Sequence, residues 1–211
     1  MVEAVLFDLD GTLIPLDAIF AATDETCRKF SIRIPHETIK REIVGRPFHE
    51  KLSILCSKAG LNDGAKAEAA EHYMEAFEKH YSRQKAFGFV RAVLSLLQKK
   101  GIKTAVVTTT EGRLVHAVLH KNGINPDAIV AAEHTKEAKP SPGPINLALS
   151  KLGKAAGSAM VVGDSTHDVL AAKAAGCLSA GVLTGVSSMR DLRKAGADYI
   201  LANVSEVVEI I

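Results

Sequence analysis

The sequence predicts an α/β protein: a doubly wound, Rossmann-like parallel sheet, interrupted after its first strand by an all-helical insertion. Three observations carry this. A short apolar, β-branched run, Val2 with Ala4 to Phe7, opens the chain and stops at Asp8-Leu9-Asp10-Gly11. From about residue 84 onward, similar runs alternate with helical patterns, the signature of a parallel sheet. Between these two parts, residues 15 to 83 read as helical with no convincing strand. Residues 1–14 and 84–211 are therefore expected to form the sheet domain, and 15–83 a separate helical one.

The elements follow in order. Pro15 and Asp17 announce a first helix carrying Ile19, Phe20, Thr23, Cys27 and Phe30. Pro35 begins a second helix, which Gly45 ends. Phe48, Leu52 and Leu55 mark a third, closing near Gly60, and a fourth runs from about Ala65 to Tyr81. In the sheet domain, Val90, Val93, Leu94 and Leu97 give a helix ending at Gly101. Thr104 to Val107 is a strand stopped by Thr108-Thr109-Thr110, and a helix from Arg113 to Asn122 closes on Gly123. Ala128 to Ala132 is a weaker strand, and Pro142 and Pro144 lead into a helix from Ile145 to Leu152. Ala159 to Val162 is a strand stopped at Gly163-Asp164, Asp168 to Ala175 is a helix, and Ala180–Leu183 and Tyr199–Leu201 are the last strands.

With 47% hydrophobic and 24% charged residues, composition is that of an ordinary soluble domain. No apolar run has the length of a membrane span, and the first residues enter a strand directly, so a cytoplasmic protein is expected. A net charge of +2 with no long basic run leaves no electrostatic footprint for nucleic acid or a membrane surface. Cys27, Cys56 and Cys177 lack CxxC spacing and read as small buried hydrophobes rather than a metal site or disulfide framework. The expected state is monomer or homodimer.

Carboxylates two apart at the end of a buried strand lie in the crevice where open α/β sheets bind ligands. Asp8-Leu9-Asp10-Gly11-Thr12 resembles the opening DxDGT motif of the haloacid dehalogenase superfamily, and three further motifs follow in the family's order. They are a hydroxyl at a strand end, Thr108; a lysine before proline, Lys139-Pro140; and Gly163-Asp164-Ser165-Thr166-His167-Asp168, which fits GDSxxD. With the helical insertion as a cap, the resemblance covers the whole chain. It is nearest to the phosphoglycolate phosphatase and β-phosphoglucomutase group.

The resemblance implies that Asp8 attacks phosphorus to form an aspartyl-phosphate, and that Asp10 protonates the leaving oxygen and then activates water. Gly11 would let the backbone approach the phosphate closely. Thr108 would donate to a phosphoryl oxygen, and Thr109, where many relatives have Asn or Ser, would stand in the substrate-contact position. Thr109 and Thr110 sit at a helix start where free N–H groups favour anions, or else they merely cap the helix at Glu111. Lys139 would hold Asp8 ionised and balance charge; Lys136, though close, lacks the proline setting. The metal set implied is Asp8, the Asp10 main-chain carbonyl and Asp164, with Asp168 supporting bound waters, and hard oxygen ligands suit Mg²⁺. His167 reads as a solvated helix-start residue.

The resemblance thus implies a Mg²⁺-dependent phosphatase acting on a small phosphorylated metabolite. A phosphomutase of the β-phosphoglucomutase type is the alternative within the fold, and a non-catalytic regulatory binding protein the alternative outside it; the intact acidic motifs argue against the last. Substrate choice is expected in the cap, where Gly45-Arg46-Pro47 offers a guanidinium for a carboxylate or second phosphate, or a plain surface arginine. His49, one turn on, is a weaker candidate. The cap is expected to move as a lid on hinges near 15–17 and 83–88.

Overall fold

A strand buried on both faces and paired on both edges organises the sheet domain. This is β1 (Ala4–Phe7), whose four residues are fully buried. The computed structural model describes residues 1–46 and 48–211, with the side chains of all of these except Arg41, Phe48, His49, Ala59 and Asp63. The chain forms two compact units, Met1–Pro15 with Lys85–Ile211, and Leu16–Gln84.

In the first unit, α5 (Val90–Lys99) leads to β2 (Lys103–Val107), α6 (Gly112–Lys121) to β3 (Ala128–Val130), and α7 (Gly143–Leu152) to β4 (Ala159–Gly163). Then come α8 (Thr166–Ala175), β5 (Leu178–Val182), α9 (Met189–Ala195) and β6 (Tyr199–Leu201), and a 3₁₀ turn at Val204–Glu209. All pairings are parallel, in the order β3-β2-β1-β4-β5-β6. The register sets Ala4 opposite Lys103 on one side and Ala159 on the other. The order reverses between β1 and β4, and a crevice outside the carboxyl ends of the strands at such a point is where this topology binds ligands.

One core layer comprises Ala4, Leu6, Ala105, Val107, Val130 and Val161 from the sheet with Ile145, Ala148, Ala171 and Ala172 from α7 and α8. Alternate strand residues point the other way, and Val5, Phe7, Val106, Met160 and Val162 there are also buried. α5 packs against β2 and the 204–209 turn, so the sheet is covered on both faces. Near-continuous apolar strands are what such double coverage requires.

Four helices make the second unit: α1 (Asp17–Lys29), α2 (His36–Glu42), α3 (Phe48–Ala59) and α4 (Asp63–Tyr81). Its main packing is α1 on α4. α1 buries Ala18, Ile19, Ala22, Thr23, Thr26 and Cys27, a stripe at helical spacing, and α4 buries Ala69, Tyr73, Ala76, Phe77 and Tyr81. Thr23 and Thr26 are tolerated inside because their hydroxyls donate to Ile19 and Ala22 carbonyls four residues back. Asn62 caps α4 by accepting from the Ala65 N–H at 2.9 Å.

The structure extends the expected elements. α9 and the 204–209 turn were absent from the sequence reading; α9 has only seven residues and buries only Leu192. α8 begins at Thr166 rather than Asp168, because Ser165 and Asp168 close a reciprocal capping box. The three cysteines are buried and unbridged. Among the described residues no helix is long and apolar enough to cross a membrane.

Candidate active site

Three strand ends converge at the carboxyl edge of the sheet. The β1–β4 ladder runs one residue past the strand, with the Asp8 N–H on the Val162 carbonyl at 2.8 Å, and the β2–β3 ladder likewise holds Thr108 N–H on Val130 at 2.9 Å. Asp164 directly follows β4. Parallel pairing thereby brings together residues separated by a hundred or more positions.

Lys139 links them. Its ammonium donates to Asp8 Oδ1 at 2.5 Å, to Asp168 Oδ1 at 2.6 Å and to the Val107 carbonyl at 3.0 Å, and its side chain is only 7% exposed. The second Asp168 oxygen accepts from the Ser165 hydroxyl at 2.5 Å and the Ser165 N–H at 3.1 Å. Asp164 is held by the Val186 N–H on Oδ2 at 2.7 Å and by the Thr12 hydroxyl on Oδ1 at 3.3 Å. One oxygen from each of Asp8, Asp164 and Asp168 lies within 4.8 Å of the others.

Three buried carboxylates facing one ammonium leave the cluster negative. Burial pushes the Asp8 carboxyl well above the usual range; Lys139 opposes this, while Asp168 and Asp164 reinforce it. Burial, then repulsion from Asp168, lifts Asp164 to about 7, against the Val186 N–H and Lys139. Burial works against the charged form of Lys139, but Asp168 and Asp8 more than offset it and raise its pKa. The missing charge is positive, and the donors are hard oxygens. A small divalent cation fits both facts.

Asp10 is set apart from this trio by its partner: the Thr110 hydroxyl donates to Asp10 Oδ2 at 2.8 Å. The Thr110 N–H in turn goes to Thr108 Oγ1 at 3.1 Å. Two buried threonines two residues apart thus connect the end of β2 to the first motif.

The structure adds to two sequence expectations here. At Thr109 and Thr110 the expectation is a helix start with free N–H groups, or a cap at Glu111; α6 begins at Gly112, whose N–H is taken by both oxygens of Glu133 at 3.1 Å. The Thr110 N–H is also occupied, by Thr108 Oγ1, so at this end a carboxylate of the chain takes the Gly112 N–H and a hydroxyl takes that of Thr110. Gly11 was assigned to close approach by phosphate. Its φ of +92° and its neighbour give another reason: a Cβ there would lie 2.6 Å from Asp164 Oδ2.

Thr109 is half-buried beside Thr108, and His167 lies half-buried in the first turn of α8. Asp168 is engaged on both oxygens by Lys139 and Ser165, the first use the sequence did not anticipate. In the helical unit, Arg46 pairs with Glu50 at 3.0 Å, one turn along its own segment. Pro47 lies outside the described residues, as does the side chain of His49.

Sequence reading missed the loop after β5. There Thr184 donates to the Gly11 carbonyl at 2.6 Å, Val186 to Asp164, and the Ser187 N–H to the Asp164 carbonyl at 3.1 Å. The available signal was Thr184-Gly185-Val186-Ser187-Ser188, a hydroxyl-rich run with a glycine directly after a strand. A Cβ on Gly185 would sit 1.8 Å from Asp164 Oδ2, so the glycine is needed for the loop to reach that carboxylate.

Comparison with known proteins adds sequence relatives to this geometry. The haloacid dehalogenase-like hydrolase family profile matches residues 5–182. The chain is 33% identical to pyrophosphatase PpaX of Bacillus velezensis, over 99% of this chain and 96% of that one. It is 31% identical to a phosphoglycolate phosphatase of Neisseria meningitidis, over 99% and 93%. Its fold matches the crystal structure of a predicted phosphoglycolate phosphatase from Haemophilus somnus with a TM-score of 0.88 at 21% identity, covering 99% and 97%.

Proposed function

Because the chain belongs to the haloacid dehalogenase-like hydrolase family, we propose that it is a Mg²⁺-dependent phosphatase for a small phosphorylated metabolite, working through an aspartyl-phosphate. The observation that carries this is the Lys139 ammonium held between Asp8 and Asp168, with Asp164 alongside. A cation so fixed favours the ionised form of an attacking carboxylate, against the burial that disfavours it.

In the first step an Asp8 oxygen bonds to phosphorus as the bond to the leaving oxygen breaks, and Asp10 gives that oxygen its proton. In the second, Asp10 takes a proton from water, which attacks phosphorus and expels Asp8 as carboxylate. Thr108 donates its hydroxyl to a phosphoryl oxygen: its Oγ1 already accepts from Thr110, which leaves the O–H to point elsewhere. Lys139 neutralises charge on Asp8 in both states. Asp8, Asp164 and the Asp10 main-chain oxygen would hold Mg²⁺, which supplies Lewis-acid stabilisation of charge on the phosphoryl oxygens. Asp168 acts by fixing Lys139 rather than as a free ligand.

Phosphate release is to be measured with pyrophosphate, phosphoglycolate and sugar phosphates, with and without Mg²⁺. Intact-protein mass spectrometry after acid quench should find a phosphoryl group on Asp10→Asn and none on Asp8→Asn. Full turnover by Asp8→Asn, or release indifferent to Mg²⁺, would defeat the reading; isomerised sugar phosphate without release would make the chain a mutase.

A further inference from the structure

Thr110 belongs to none of the four motifs, yet its hydroxyl joins the segment after β2 to the Asp10 side chain. It is 5% exposed and Thr108 is 6% exposed, so neither hydroxyl is held by bulk solvent. The order of donation is fixed at the first link: the Thr110 N–H donates to Thr108 Oγ1 at 3.1 Å. That bond pins the Thr110 backbone to the end of the strand. From there its hydroxyl reaches Asp10 Oδ2 at 2.8 Å.

We propose that Thr110 is a positioning residue, which orients the Asp10 carboxyl group toward the leaving oxygen and then toward the hydrolytic water. The proposal rests on the acid and base role given to Asp10 above. Asp10 follows a buried strand by three residues and lies on a tight turn, where Gly11 N–H meets the Ile14 carbonyl at 2.7 Å. The turn fixes its backbone but not its side-chain torsions. A proton-transfer group must lie within hydrogen-bond reach of the atom it serves, and small misplacements cost rate steeply. Thr110 supplies a restraint on that side chain from the segment after β2, a hundred residues away, and it touches neither phosphate nor metal in this role.

The test uses Thr110→Val, which keeps the shape and removes the hydroxyl, and Thr110→Ser, which keeps the hydroxyl. The two substrates are an alkyl phosphate, whose leaving alkoxide needs a proton, and p-nitrophenyl phosphate, whose leaving group does not. For Thr110→Val the alkyl ester should lose roughly tenfold to hundredfold in kcat with KM little changed, the scale of one hydrogen bond to a charged group. With the aryl ester, the first-turnover burst of nitrophenolate should keep its wild-type rate while the steady state slows, since hydrolysis of the aspartyl-phosphate still needs Asp10. Thr110→Ser should restore both. Equal losses of first-turnover rate on the two substrates, a change confined to KM, no loss in Thr110→Val, or no recovery in a folded Thr110→Ser overturns the proposal while wild-type turnover leaves the phosphatase reading standing. A wild-type protein with no burst and no turnover on either ester removes both.

Discussion

Replacing Asp164 by Asn should stabilise the metal-free protein, although it removes a residue of the site. The carboxyl is 2% exposed, and its pKa stands at about 7 in the folded chain against 3.8 for the free side chain. A raised acid pKa contributes stability that is fully present below the unfolded value and lost as pH rises through the folded one. Above pH ~7 the folded protein therefore holds a carboxylate that burial and Asp168 both disfavour. At ~1.4 kcal/mol per pKa unit, a rise of about three units corresponds to an upper bound of about 4 kcal/mol. Asn keeps the shape, and its oxygen can still accept from Val186. In EDTA at pH 8, urea unfolding should place Asp164→Asn about 2–4 kcal/mol above wild type, shrinking to under about 1 kcal/mol near pH 4. Carboxyls whose pKa values are lowered elsewhere, such as Asp127 and Glu133, are common to both proteins and cancel. Saturating Mg²⁺ should reverse the order, because only wild type gains the full binding energy. A variant less stable than wild type in EDTA at pH 8, or a difference flat with pH, would refute the reasoning.

Two further outcomes follow from the same cluster. Lys139→Met leaves Asp8 and Asp168 facing each other without their ammonium and should cost about 3–5 kcal/mol in urea unfolding at pH 8, less at pH 5 where protonation relieves the pair; unchanged stability at both pH values would show the ion pairs to be energetically idle. Gly185→Ala forces a Cβ onto Asp164 Oδ2, so half-saturating Mg²⁺ should rise tenfold or more while the circular dichroism spectrum stays that of wild type; an unaltered Mg²⁺ requirement would remove Asp164 from the ligand set.

How much of this could be read from the chain depends on how local each signal is. Asp8, Thr108 and Asp164 were legible because each ends an apolar run, and a parallel sheet delivers all such ends to one edge. The helical stretch was legible from its unbroken period. The Thr110 to Asp10 bond was not, because it needs the relative register of β1 and β2, which no local pattern encodes. The same holds for the Val186 N–H on Asp164. Gly11 is expected from the sequence to let the backbone approach a phosphate; that a side chain there would meet the Asp164 carboxylate, just past β4, was not legible. Nor was the carboxylate at the start of α6 legible: Glu133, twenty-one residues beyond Gly112, accepts from the Gly112 N–H.

The central place of β1 also bears on how the chain is made. This strand leaves the ribosome before both of its neighbours, which do not exist until Lys103 and then Ala159 have been synthesised. Until then Ala4 to Phe7 is a bare apolar segment with two open hydrogen-bonding edges, the condition that invites pairing with another chain. The helices of residues 16–84, by contrast, have their main packing, α1 on α4, within one continuous stretch of chain. A nascent chain halted between β2 and β4 would have one edge of the Asp8 strand closed and the other still open. The edge that carries Asp8, Thr108 and Asp164 is therefore assembled only after β4 has been made.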